Sequence, residues 1–234
     1  MNKLLKALML LTAIMLIGSV VVYAELKGTS PSNIELNKEK KLENTQESEQ
    51  VEQDKGTTFP SLPIAEITGT DNRLYSQNES EGVYAGFLLD WEGKSAEFEW
   101  KSVASSAVPV ELLSVDVTGD GTKDAIVTLP VASGTGVYVE EIHVVNGQTL
   151  QEEQVEDAAA AAVKWAASNP ELNEQDELLM NHIDYQINED NQLTAIIGVA
   201  ISPSVYIGEL TLTYVYDNHE EVLKVNTVSY AAFE

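Results

Sequence analysis

The chain holds 234 residues, with 13 Lys or Arg against 38 Asp or Glu, for a formal charge of −25. An apolar content of 44% is enough for a buried core, which excludes a wholly disordered chain. The lack of Cys removes disulfides, thiol catalysis, Cys-ligated metal clusters and a lipidated N-terminal Cys, and a surface this acidic repels nucleic-acid phosphate.

Residues 1–24 carry Lys3 and Lys6, no acidic residue, and a nearly continuous apolar run from Ala7 to Val22. Val22-Tyr23-Ala24 then sets small or aliphatic residues at −3 and −1 of a cut before Glu25, the layout of a secretory signal peptide. An uncleaved N-terminal membrane anchor is the alternative, since a run of roughly 17–18 residues reaches the lower limit for a bilayer span. Both readings put the remainder outside the cytoplasm, secreted or on the extracellular face of the membrane.

Residues 25–58 change character. Asn37 to Lys55 has almost no apolar residue and no aromatic, so it cannot offset its ordering entropy and reads as a disordered, acidic and polar tether. The charge concentrates beyond it: residues 58–234 hold six basic and thirty acidic residues, a net of −24.

Residues 59–234 read as one β-dominated domain. Val83 to Trp91 and the alternating Ala96-Glu-Phe98-Glu-Trp100-Lys form a hairpin through Glu92-Gly93-Lys94. Val110 to Val115 and Ala125 to Leu129 are strands flanking a tight Gly/Asp loop, and Val137 to Val145 ends at the turn dipeptide Asn146-Gly147. Asp157 to Ser168 is the one clear helix, opened by Asp and stopped at Asn169-Pro170, with Val163 and Trp165 offering packing groups. The last sixty residues read as a meander. Leu179, Ile183, Tyr185 and Ile187 share one strand face, Leu193 to Ile201 is apolar on both faces and hence central, and Ile207 to Tyr216 and Glu221 to Tyr230 follow. The expected fold class is α+β, β-dominated, with antiparallel sheets and one main helix; two sub-sheets at about 59–156 and 171–234 would meet at helix 157–168.

One stretch carries metal chemistry in its spacing. Asp116-Val-Thr118-Gly-Asp120-Gly121-Thr122-Lys-Asp124 puts oxygen side chains at loop positions 1, 3, 5 and 9 and Gly at position 6. A hard cation such as Ca²⁺ needs that pattern, with a backbone carbonyl near Thr122 as a further donor. Position 12 is Val127 and the flanks are strands, so the loop is not an EF-hand. The same string also makes a good β-turn, in which the acids are simply solvated.

The strand–DxTGDGxxD–strand arrangement resembles the calcium loop of FG-GAP and VCBS-type repeats. That likeness implies carboxylate ligands at Asp116, Asp120 and Asp124 and a main-chain carbonyl at Thr122. It covers about twenty residues, Leu112 to Leu129, and departs at Thr118, where the family usually has Asp or Asn. Those repeats recur as propeller blades, and this chain holds one copy, so a full β-propeller is not expected. The wider arrangement also resembles uncharacterised secreted or membrane-anchored proteins of spore-forming Gram-positive bacteria, a likeness that implies an address and no activity.

Other candidates are thinner. His143, His182 and His219 show no metal-ligand spacing and read as surface or rim residues. No nucleophile elbow, P-loop or dinucleotide fingerprint occurs. Glu140-Glu141 and Glu220-Glu221 are adjacent on expected strands and so point to opposite faces. Trp91, Trp100 and Trp165 with the Tyr residues could build a sugar-stacking face. The functional expectation is an extracytoplasmic binding or structural module with a calcium-stabilised loop, its partner a cell-envelope protein or polysaccharide; membrane contact would come only through an uncleaved leader. The alternative is a cell-wall polymer hydrolase using a carboxylate pair. Oligomeric state is not legible.

Overall fold

The computed structural model describes residues 62–173 and 178–233; the leader and tether expectations for residues 1–58 lie outside the described residues. Among the described residues no helix is long and apolar enough to cross a bilayer. The fold is β-dominated, with twelve strands and one helix in the described part.

Four strands, β1 (Ala65–Glu66), β2 (Arg73–Ser80), β3 (Val83–Trp91) and β4 (Lys94–Val103), form an antiparallel sheet in sequence order. The β3–β4 hairpin closes through two residues, with Trp91 paired to Lys94. Glu92 and Gly93 both take positive φ, +50° and +78°, the mirror-image turn whose twist matches the flanking strands.

The second sheet is built from β5 (Glu111–Val115), β6 (Asp124–Gly134), β7 (Val137–Val145), β8 (Glu152–Val155), β9 (Leu179–Ile187), β10 (Leu193–Ser202), β11 (Val205–Asp217) and β12 (Val222–Ala232). Its order is β5-β6-β7-β8-β12-β11-β10-β9, and β9 also reaches β7. The meander β9 to β12 forms as expected. The β8–β12 and β7–β9 joins are parallel and only two residue pairs long each, which makes the sheet mixed and leaves it short of a closed barrel. The break between sheets therefore falls between Val103 and Glu111, not at the helix as the sequence suggested. The short strand β8, Glu-Glu-Gln-Val, carries no apolar alternation, yet it links the two halves of the larger sheet.

Two cores result. One joins Leu74, Phe87, Trp91 and Trp100 of the small sheet to Leu112, Ala125, Val127, Leu129 and Val145. The other lies inside the larger sheet, around Ile126, Val144, Ile197, Leu210, Leu212 and Tyr214. Strand β6 feeds both cores from its two faces, and its run from Asp124 to Pro130 is buried throughout.

The helix α1 (Ala158–Ala166) starts where expected, with the Asp157 carboxylate accepting the Ala160 N–H at 2.6 Å. Its packing differs from the expectation. Ala158, Ala161, Ala162 and Ala166 form the buried face, whereas Val163 is 55% exposed and Trp165 only half-buried. Alanines at this spacing form one face and let the helix approach the sheet closely. A second difference sits in β9. Gly198 pairs with His182 but Ala200 pairs with Leu179, so β9 carries one extra residue there. This bulge flips the alternation, and Met180 rather than Leu179 packs on the core.

Candidate functional site

The expected calcium loop connects β5 to β6, whose ends pair at Val115 and Asp124. Asp124 is fully buried. Its Oδ2 accepts the N–H groups of Val117 and Thr118 at 3.0 and 3.1 Å and the Thr118 hydroxyl at 3.1 Å. Its Oδ1 accepts the N–H of Gly147 at 3.3 Å. Burial raises the Asp124 carboxyl above its ordinary value, and the bonds from Thr118, Val117 and Gly147 work against that rise. Asp116 accepts the N–H groups of Gly119 and Gly121 at 2.7 and 3.0 Å, and Asp120 that of Thr122 at 2.7 Å.

The loop is also docked. Asn146 donates to Asp120 Oδ2 at 3.3 Å, and the Gln148 side-chain amide donates to the Thr122 hydroxyl at 2.6 Å. Gly147 lies so close that a Cβ there would fall 2.0 Å from the Lys123 carbonyl oxygen. The Asn146-Gly147 turn thus serves as the seat of the aspartate loop.

This arrangement answers whether the residues suit a cation. Among the described residues no group of three or more acidic or His side chains converges as a metal cage. Asp124 Oδ2 already accepts three donors, and Thr118 is buried with its hydroxyl turned to that carboxylate. Asp116 is half-buried and Asp120 exposed, and each of their four carboxylate oxygens accepts one hydrogen bond from the loop or from Asn146. Ca²⁺ takes six to eight oxygens, so main-chain carbonyls and water would have to supply the remainder beside these side chains.

A different feature holds most of the chemistry. On the edge of β7 away from β6, Tyr138 and Val139 pair with β9, and Val144 and Val145 pair with β8. Residues 140–143 lie between, where the two partner strands splay apart, and a cleft of about 750 Å³ opens there. Six carboxylates line it: Glu140, Glu141, Glu152, Glu153, Glu156 and Asp157. Its lining contains no Lys or Arg.

Glu140 is buried and shares the face of Val144. It accepts the Tyr138 hydroxyl through Oε1 and the Tyr185 N–H through Oε2 at 2.9 Å. Burial raises its carboxyl above the ordinary value against those two bonds, and Asp184 and Glu111 add to the rise. Burial likewise pushes the Tyr185 hydroxyl up to about 12. Glu141 points the other way along the strand, yet it lines the same cleft, because the cleft wraps an open edge. The two adjacent glutamates thus point to opposite faces of the strand, as expected, and still flank one cleft. Glu220 and Glu221 are not on a strand at all; they sit in the β11–β12 turn, and Glu220 pairs with Lys224.

His143, expected at the surface or rim, is held in place by its neighbours. Its side chain is only 13% exposed and its ring stacks on Trp100 with centroids 4.2 Å apart. Nδ1 lies 2.6 Å from Glu152 Oε1, while the Trp100 indole N–H donates to Glu152 Oε2 at 3.1 Å. Burial would raise the Glu152 carboxyl, but the His143 and Trp100 hydrogen bonds hold it below its ordinary value. His143 Nε2 is out of solvent contact and has no hydrogen-bond partner. Glu152 and Glu153 carried no sequence signal, since a charged run of this kind reads as loop.

Among the described Trp and Tyr residues, Tyr75, Trp91, Trp100 and Tyr214 are buried and the others are half-buried. No protein-family model matches this chain, and no curated protein or solved structure matches it significantly. Nothing in these comparisons bears on the FG-GAP likeness.

Proposed function

We propose that this chain is an extracytoplasmic binding module whose acidic cleft captures a cationic ligand. The support is one observation: a cleft of about 750 Å³, within the usual size range of small-molecule sites, is lined by six carboxylates and no Lys or Arg. Carboxylates crowded along low-dielectric walls focus a negative potential and concentrate cations. The envelope partner expected from the sequence narrows to one that carries positive charge, such as an amine-bearing component.

Titration with spermidine and with 1,6-diaminohexane tests this. Binding should be measurable at about 10 mM salt and weaken markedly at about 150 mM, as the Debye length shrinks from about 30 to about 8 Å. Glu141→Gln with Glu153→Gln should weaken it further. No binding of either amine at low salt overturns the proposal.

The hydrolase alternative draws on Glu140, whose raised carboxyl suits a general acid. Both its oxygens are engaged by Tyr138 and Tyr185, however, which favours a structural role over proton donation to a substrate. Calcium at Asp116 and Asp120 is a separate proposal, supported by the loop spacing.

A further inference from the structure

The His143–Glu152–Trp100 group fixes one imidazole in place. With Nδ1 engaged by Glu152, Nε2 is the ring nitrogen left to meet a ligand. That atom is buried and unpartnered, a costly state for a polar group unless something occupies it. A carboxylate behind a His Nδ1 is the arrangement that fixes the tautomer and raises basicity in metal-bound histidines. Trp100 holds that carboxylate by its other oxygen and the imidazole by its ring face, so the orientation is set from two sides. Glu141 Oε2 lies 3.9 Å from Nε2. Two ligands on one tetrahedral metal sit about 3.4 Å apart. Closing the difference asks about half an ångström of Glu141, whose side chain is 59% exposed.

We propose that His143 Nε2 and Glu141 bind a borderline divalent transition metal, zinc(II) in the first instance, at the wall of the acidic cleft. Glu152 and Trp100 are the positioning residues. Water completes the coordination, and the surrounding carboxylates favour the dication over a monovalent ion. An imidazole nitrogen discriminates against calcium, which prefers oxygen throughout. This names the cation for the cleft and rests on the reading of that cleft as a cation site.

The test uses the untagged full chain, so that His143, His182 and His219 are the only imidazoles. Zn²⁺ is titrated calorimetrically, and long-range ¹H–¹⁵N spectra follow each ring. One equivalent of Zn²⁺ should shift His143 Nε2 and leave His182 and His219 unchanged. His143→Gln should lower the affinity at least tenfold and Glu141→Gln several-fold, while His182→Gln has no effect. Glu152→Gln should weaken Zn²⁺ and also alter the His143 tautomer spectrum, a readout that simple loss of packing does not move. A His143 ring doubly protonated at neutral pH and indifferent to Zn²⁺, bridging Glu152 and Glu141 as a cation, overturns the proposal. So does equal Zn²⁺ affinity in His143→Gln. Amine binding without a Zn²⁺ response ends this inference and leaves the cleft reading standing; loss of both ends both.

Discussion

The carboxylate of Glu140 accepts the backbone N–H of Tyr185 at 2.9 Å, just beyond the last ladder pair between β7 and β9, Val139 with Ile183. A side chain thereby supplies the acceptor that the neighbouring strand's main chain no longer offers. The strands can part without stranding a buried donor, and the cleft opens in the space they leave.

Glu140 gives a pH prediction with a definite sign. Its folded carboxyl is raised above 4.5, chiefly by burial. A raised acid contributes stability that is complete below its unfolded value and is lost as pH climbs through the folded one. Glu140→Gln keeps the shape and removes the titration. The melting temperature of the variant relative to the parent should therefore rise as pH increases from about 4 towards neutrality. A constant difference across that window would show that Glu140 does not titrate with folding.

Asp124 organises its loop from inside, accepting four hydrogen bonds from three residues. Asp124→Ala strands those buried donors and should cost on the order of 3 kcal/mol, a fall in melting temperature of roughly 6–12 °C for a domain of this size. The loss is read in EDTA, so that calcium does not enter it. Thermal denaturation monitored by circular dichroism decides it.

Calcium itself is tested at Asp120. With a dissociation constant of about 1 mM, typical of weak extracellular sites, about 10 mM Ca²⁺ would add roughly 1.4 kcal/mol of stability. The melting temperature should rise by a few degrees, and Asp120→Ala should abolish the rise. Superimposable curves in calcium and EDTA would leave the loop held by its own hydrogen bonds alone.

Two glycines separate a crowded position from a strained one. At Gly147 a Cβ meets the Lys123 carbonyl at 2.0 Å, so Gly147→Ala should unseat the aspartate loop and cost roughly 2–4 kcal/mol. At Gly93 the space is open and only the φ of +78° opposes a side chain. Gly93→Ala should cost about 1 kcal/mol. Chemical denaturation of both variants gives the comparison, and equal losses would contradict the close packing at Gly147.

Local signals carried much of the fold. Period-two alternation marked β4 and β11, Gly-bearing turns bounded the hairpins, and Asp157 with Asn169-Pro170 bracketed α1, because each depends on neighbours within a few residues. The aspartate loop was legible as an ordered turn for the same reason, and its likeness to a calcium loop rests on that local spacing alone. What the tertiary structure alone decided was where strands part company. Strand β8 is Glu-Glu-Gln-Val, and nothing in those four residues announces that they will bridge β7 to β12. The bulge that hands the core position from Leu179 to Met180, and the stacking of His143 on Trp100 from a strand some forty residues earlier, depend on pairings distant in sequence. Composition and short-range pattern determined an acidic β-protein with one helix. The gathering of six of its carboxylates around one open edge, with a half-buried imidazole among them, is a property of long-range register, which short-range pattern does not encode.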